Sequence, residues 1–233
     1  MISVEPFDKL GRFRNDWLNA RHHFSFGQHH DPRRMGVGAL RVWNDDEIAP
    51  GQGFDPHPHK EMEIITYVRE GAITHKDSLG NQGRTEAGDV QVMLAGTGIV
   101  HAEYNLEPTA TRIFQIWITP NKTGVAPGWG ARGFPKGQRD TLQVLADGRE
   151  GRDETALPLY ADGAVLAGTI RAGQTMHQTL APGRVGYLVP ATGAVTVNGV
   201  KVSTRDGATI TGETELVITA ETDSELVLVD VAA

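Results

Sequence analysis

The apolar positions of this chain fall in short β-type runs, each bounded by Gly, Pro, Asn or Asp. In the first half they predict strands near Val37–Trp43, Met62–Val68, Ala72–Lys76, Val90–Leu94 and Arg112–Thr119. Helical periodicity is confined to Phe7–Asn19, where Gly11 weakens it. Between Thr119 and Gln138 the pattern breaks: Pro120, Pro127 and Pro135 interleave with Gly124, Gly128, Gly130, Gly133 and Gly137, as in a connection between domains. Strands then resume near Thr141–Leu145, Ala164–Ile170, Val185–Val189, Ala194–Val197, Val200–Ser203, Glu215–Ala220 and Glu225–Val231. Asn198-Gly199 is the strongest hairpin signal in the chain. The reading is an all-β chain with a barrel or sandwich in each half: residues 1–120, a connection at 121–138, and residues 139–233.

With 233 residues and 39% hydrophobic content, the chain can fill two such cores. It has no cysteine, which removes disulfides and thiolate ligands and leaves imidazole, carboxylate and water to hold any metal. Lys plus Arg total 22 against 29 Asp plus Glu, a net charge of −7, and no basic run tracks a phosphate backbone, so direct nucleic-acid binding is not expected. No stretch has the length to span a bilayer and the N-terminus does not resemble a secretion signal, so a cytoplasmic protein is expected.

The chemistry is concentrated in His57-Pro58-His59 and, later in the chain, His101-Ala102-Glu103. In each pair one residue intervenes, so an extended backbone points both members to one side. Two strands can thus present four donors to a metal from a stiff frame. Pro58 lacks an N–H and belongs at a strand start or sheet edge. Gly51-Gln52-Gly53 and Gly96-Thr97-Gly98 precede the two pairs. Taken singly, His-x-His pairs are also ordinary surface histidines; the second pair favours a metal. His75 and His177 stand alone and read as structural or surface groups, while His22, His23, His29 and His30 are candidates for a channel lining or a second metal site.

Gly51, His57, His59 and Glu63, followed by Gly71, resemble the first cupin motif, and Gly98, His101 and Asn105 resemble the second. The set His57-Pro58-His59, Gly96-Thr97-Gly98-Ile99-Val100-His101 and Glu103, with His22-His23-Phe24-Ser25-Phe26 and Asp31-Pro32, is similar to the pirin family, the bicupin branch of that superfamily. Gly96 stands where the general cupin pattern has proline, and Gly71 lies one residue late. The resemblance implies two cupin-type β-barrels with little helix. It also implies a metal held by His57, His59, His101 and Glu103 in the first, and a second barrel without metal ligands. It leaves Glu63 to orient a ligand imidazole, the alternative being a solvated strand residue, since Glu61 and Glu63 share parity with the histidine pair.

By the same resemblance the metal is divalent, Fe(II) first, with Ni, Cu, Mn, Co or Zn as alternatives. The activity is that of quercetin 2,3-dioxygenase, which opens a flavonol's central ring with dioxygen and releases carbon monoxide. Glu103 would be both ligand and base for the flavonol 3-hydroxyl. A second reading from a different class is a metal-binding regulator that docks on a transcription factor or metabolic enzyme. A metal-free sugar isomerase is weaker, because it leaves both ligand pairs without a purpose.

Overall fold

The computed structural model describes residues 1–133 and 141–233; Pro135 and Gly137 of the expected connection lie outside these residues. The first strands in chain order are β1 (Ile2–Glu5), β2 (Gly11–Arg14), β3 (Leu18–His22), β4 (Leu40–Ile48), β5 (Gly53–His59) and β6 (Glu63–Glu70). They are followed by β7 (Ala72–Asp77), β8 (Gln82–Glu86), β9 (Val90–Leu94), β10 (Ile99–Tyr104), β11 (Thr111–Ile118) and β12 (Gly128–Arg132). The second half holds β13 (Gln143–Asp147), β14 (Leu157–Pro158), β15 (Gly163–Ile170), β16 (Thr175–Thr179) and β17 (Arg184–Thr192). Then come β18 (Val195–Val197), β19 (Val200–Val202), β20 (Gly207–Thr211), β21 (Glu215–Ala220) and β22 (Ser224–Ala232). The all-β, two-barrel expectation holds. No helix among the described residues is long and apolar enough to cross a membrane.

The helix expected at Phe7–Asn19 does not form. Phe7–Lys9 makes one 3-10 turn, and β2 and β3 then pair as a hairpin with Arg14 opposite Asn19. Asn15 decides this locally, because its Oδ1 accepts the N–H groups of Trp17 at 3.0 Å and Leu18 at 2.7 Å. A side chain that closes a turn competes directly with helical hydrogen bonding. The Asn198-Gly199 hairpin forms as read, with φ of 46° and 79° at the two turn residues joining β18 to β19.

Each half closes a seven-stranded sheet over a four-stranded one. In the first, the order β12-β9-β6-β11-β4-β3-β2 faces β5-β10-β7-β8; in the second, β1-β20-β17-β22-β15-β13-β14 faces β16-β21-β18-β19. The chain crosses the expected boundaries twice: β1 lies in the second barrel against β20, and the 121–138 connection carries β12, which pairs with β9.

The two seven-stranded sheets pack face to face, and the largest core lies between them. Trp43, Ile65, Phe114 and Ile116 from the first meet Tyr187, Val189, Val227 and Val229 from the second. The second barrel's own interior is filled by apolar side chains, among them Leu166, Leu188, Ile210, Ile218 and Leu228. The first barrel differs because alternate positions on its large sheet are polar. On β6, Ile65 and Tyr67 face the second barrel while Thr66 turns inward to Glu103. Glu63 shares the parity of Ile65, and its carboxylate accepts the backbone N–H groups of Tyr160 at 2.6 Å and Ala161 at 3.0 Å. This corrects the expectation for Glu63: it fastens the two barrels together and orients no imidazole.

Asp45, with its side chain wholly buried in the same interface, accepts hydrogen bonds from Arg69 of the first barrel and Arg205 of the second. Removing one member of a buried ion pair strands the other in low dielectric. Asp45→Ala is therefore expected to lower unfolding stability by about 3 kcal/mol. A shifted urea midpoint at unchanged slope would show it, and an unshifted midpoint would remove Asp45 from the interface energetics.

Candidate metal centre

His57 and His59 stand on β5, the edge strand of the four-stranded sheet, where Pro58 costs no ladder bond. β10 pairs beside it with His101 opposite His57. The three ring centroids lie 4.5–5.0 Å apart, and one donor nitrogen from each ring falls within 4.8 Å of the others.

These nitrogens fit a metal. His57 Nδ1 lies 2.7 Å from the Asp55 carbonyl, which can only accept, so Nδ1 carries the proton and Nε2 is left with its lone pair. His59 Nε2 and both nitrogens of His101 are buried without a hydrogen-bond partner, a condition that calls for a bound group. Burial, and then His57, hold His59 down to about 4, while burial with His57 and His59 holds His101 down to about 3. These two ligands are thus unprotonated at neutral pH.

Glu103 does not belong to the converging group. It is buried two residues beyond His101, past a bulge in the β5–β10 pairing. Its Oε1 accepts from Thr66 Oγ1 at 3.1 Å and Gln91 Nε2 at 2.6 Å, and its Oε2 from Gln115 Nε2 at 2.9 Å. Both glutamines are oriented from behind. Thr85 donates to Gln91 Oε1 at 3.0 Å and Trp117 Nε1 to Gln115 Oε1 at 3.2 Å, so each amide turns its NH₂ toward Glu103. Burial outweighs these three bonds and pushes the Glu103 carboxyl up to about 7.

The registers place the supporting groups in one row across the large sheet: His22 of β3, Asn44 of β4, Gln115 of β11, Thr66 of β6 and Gln91 of β9 are successive partners. His22 Nδ1 bonds Asn44 Oδ1 at 2.8 Å, so His22 belongs to this row. Of the four clustered histidines, His22 and His29 line a cavity of about 860 Å³ shared with His57, His59, Trp117 and Phe26, and His23 and His30 do not. His23 is instead buried between the barrels, its Nδ1 2.9 Å from the Tyr187 hydroxyl.

His75, set aside in the sequence, is beside the centre. It is fully buried on β7 opposite Glu103, with its ring 5.4 Å from that of His101 and stacked on Trp129 at 4.8 Å. Its Nε2 lies 3.0 Å from Asp77 Oδ2. Trp129 reaches it because Gly83 faces His75 across β7–β8 and a Cβ there would come within 2.2 Å of the indole. The available signal was His75 on the expected strand Ala72–Lys76 with Asp77 one residue past its end. The Gly96 departure also has a cause. Its φ of 46° is closed to proline, and a Cβ there would meet the Val125 carbonyl at 2.3 Å.

A family model described as pirin matches residues 4–118, and one described as the quercetinase C-terminal cupin domain matches 145–231. A Caulobacter vibrioides relative named pirin-like protein is 60% identical over 232 residues, covering 100% of each chain. An Escherichia coli K12 relative named quercetin 2,3-dioxygenase is 42% identical over 234 residues, with 99% of this chain and 98% of that one covered. The crystal structure of the Escherichia coli bacterial pirin YhhW in complex with nickel(II) has a TM-score of 0.92 at 39% identity, covering 100% of this chain and 99% of that chain.

His101 sets the sign of a pH effect. Its folded-state value is depressed, so below the ordinary 6.5 the unfolded chain binds more protons and stability falls with pH. Between pH 7.5 and 5 this one group accounts for about 2 kcal/mol. In metal-stripped protein His101→Gln is therefore expected to lose about 2 kcal/mol less than the wild type over that interval in urea unfolding. Equal losses would mean that His101 protonates freely in the fold.

Proposed function

This chain belongs to the pirin family, and from that premise we propose that it is a metal-dependent dioxygenase of the quercetin 2,3-dioxygenase type, opening a flavonol ring with dioxygen and releasing carbon monoxide. The observation that carries the reading is the convergence of three imidazole donors, of which His57 and His59 line an aromatic-lined cavity and His59 and His101 keep buried nitrogens without a partner. His57, His59 and His101 would hold a divalent metal, with Fe(II) as the proposed working ion on an imidazole and carboxylate donor set. When bound, the metal supplies Lewis-acid and redox chemistry.

The protein's part is to bind, orient and take a proton. Trp117 stands edge-on to His59 with centroids 4.9 Å apart and to Phe26 at 5.4 Å, and Trp17 stands edge-on to Phe54 at 5.2 Å. These rings frame a slot for a planar aromatic molecule, and about 860 Å³ is within the range of small-molecule sites. Glu103 is proposed as fourth ligand and as acceptor of the 3-hydroxyl proton. A carboxylate has about four lone-pair positions, and the donors from Thr66, Gln91 and Gln115 occupy three of those on Glu103. Oε2, which accepts one bond, keeps one position free, so Glu103 would serve the metal and the proton in turn, releasing the metal as it takes the 3-hydroxyl proton.

Anaerobic mixing of metal-replete protein with quercetin is expected to give the absorbance shift of the ionised flavonol, followed by carbon monoxide release on admitting air. Absence of both sinks the proposal. Glu103→Gln keeps an oxygen donor but not the base, so it is expected to retain metal and to lose on the order of 100-fold in kcat. Unchanged kcat with full metal content would leave Glu103 no proton-transfer role.

A further inference from the structure

The first barrel has a second buried carboxyl whose condition is the reverse of that of Glu103. Asp46 on β4 is 2% exposed and lines the metal-site cavity, and its carboxyl has no hydrogen-bond partner among the described residues, Oδ1 being buried. The sheet register explains this. Its lateral neighbours on the inward face are Ala20 of β3 and Ile113 of β11, and beyond Ile113 comes Val68, none with a side-chain donor. The polar row through Asn44 and Gln115 lies one step along the strands and is occupied with its own partners. Burying a carboxyl without a partner carries its full desolvation penalty. Such a cost recurs in native proteins where a ligand completes the site.

We propose that Asp46 is a specificity-determining residue of this cavity, its carboxyl oxygen accepting a hydrogen bond from a hydroxyl of a planar aromatic ligand. The proposal rests on the aromatic-substrate reading above. Asp46 stands on the seven-stranded wall, whereas His57 and His59 stand on the four-stranded wall, so a ligand spanning the cavity meets the histidines with one edge and Asp46 with another. A hydroxyl satisfies Asp46 whether the carboxyl is ionised or neutral, because an oxygen accepts in both states. An ammonium group would require the carboxylate and would meet Arg12 in the same lining.

The test uses metal-stripped full-length protein and fluorescence titration with 2-naphthol and with 2-methoxynaphthalene, which has nearly the same shape but no donor. Wild type is expected to prefer the naphthol. Asp46→Leu and Asp46→Ala are expected to cut that preference at least about fivefold, the worth of one hydrogen bond. Asp46→Asn, which keeps an accepting oxygen, is expected to preserve it. Asp46→Leu places an apolar side chain in an apolar row, so its melting temperature is expected to equal or exceed that of wild type. A preference that survives in both the Leu and Ala variants overturns the assignment. So does a wild type with no preference, or an Asn variant as impaired as Ala. Neither metal nor turnover enters this measurement. Failure to turn over quercetin would therefore sink the dioxygenase reading and leave the naphthol ratio to decide Asp46.

Discussion

The two-residue period of the first barrel's large sheet is the constraint on which the rest depends. Over its central strands that sheet is covered on both sides: one side meets the second barrel and the other lines the metal-site cavity. Each strand must therefore alternate between a residue fit for a dry, packed interface and one fit for a polar interior. On β11, Phe114, Ile116 and Ile118 go outward into the interface, while Gln115 and Trp117 go inward. On β9, Val90 and Val92 go outward, and Gln91 turns in to Glu103. A slip of one residue would bury the amides in the interface and put phenylalanine and isoleucine at the metal site, so register and chemistry are specified together.

The second barrel supplies what this arrangement lacks. A sheet whose outward face carries Trp43, Ile65, Phe114 and Ile116 cannot stand in water, and the second barrel covers it with Tyr187, Val189, Val227 and Val229. Its own interior is packed with leucine, isoleucine and valine, so it acts as a solid support. The buried carboxylates of the interface are satisfied there, Asp45 by Arg69 of its own barrel and Arg205 of the other, and Glu63 by two backbone N–H groups of the second barrel. The wall holding Thr66, Gln91 and Gln115 is thereby stiffened from behind, which is how a site is held to tolerances finer than a lone sheet would give.

Much of this was legible in the chain. The His-x-His pair follows from period-2 geometry, whereas Glu103, expected to converge with it, lies past a bulge and outside the three histidines; Val90–Leu94 and Glu215–Ala220 were read to their ends. What escaped reading depended on partners distant in sequence. Glu63 and the histidines share a numerical parity, but parity has meaning only within one strand, and β5 and β6 belong to different sheets. His75 looked isolated because its partners come from β10 and β12, which no local pattern brings to β7. The Phe7–Asn19 helix failed through Asn15, whose turn-forming hydrogen bonds outweighed the apolar spacing. β1 joins the second barrel by pairing with β20, a contact no composition shift announces.

Glu103 and Asp46 sharpen the relation between stability and function in this interior. Both carboxyls are buried in one barrel, yet three donors reach the first and none the second. The fold could afford Asp46 no partner without giving up Ala20 or Ile113, and a larger polar residue at either place would reduce the cavity. Two buried acids thus receive opposite treatment, because one must be held still and the other left free to meet a ligand. The unfilled hydrogen bond of Asp46 and the unpaired nitrogens of His59 and His101 are then one phenomenon: polar groups whose missing partners come from outside the chain.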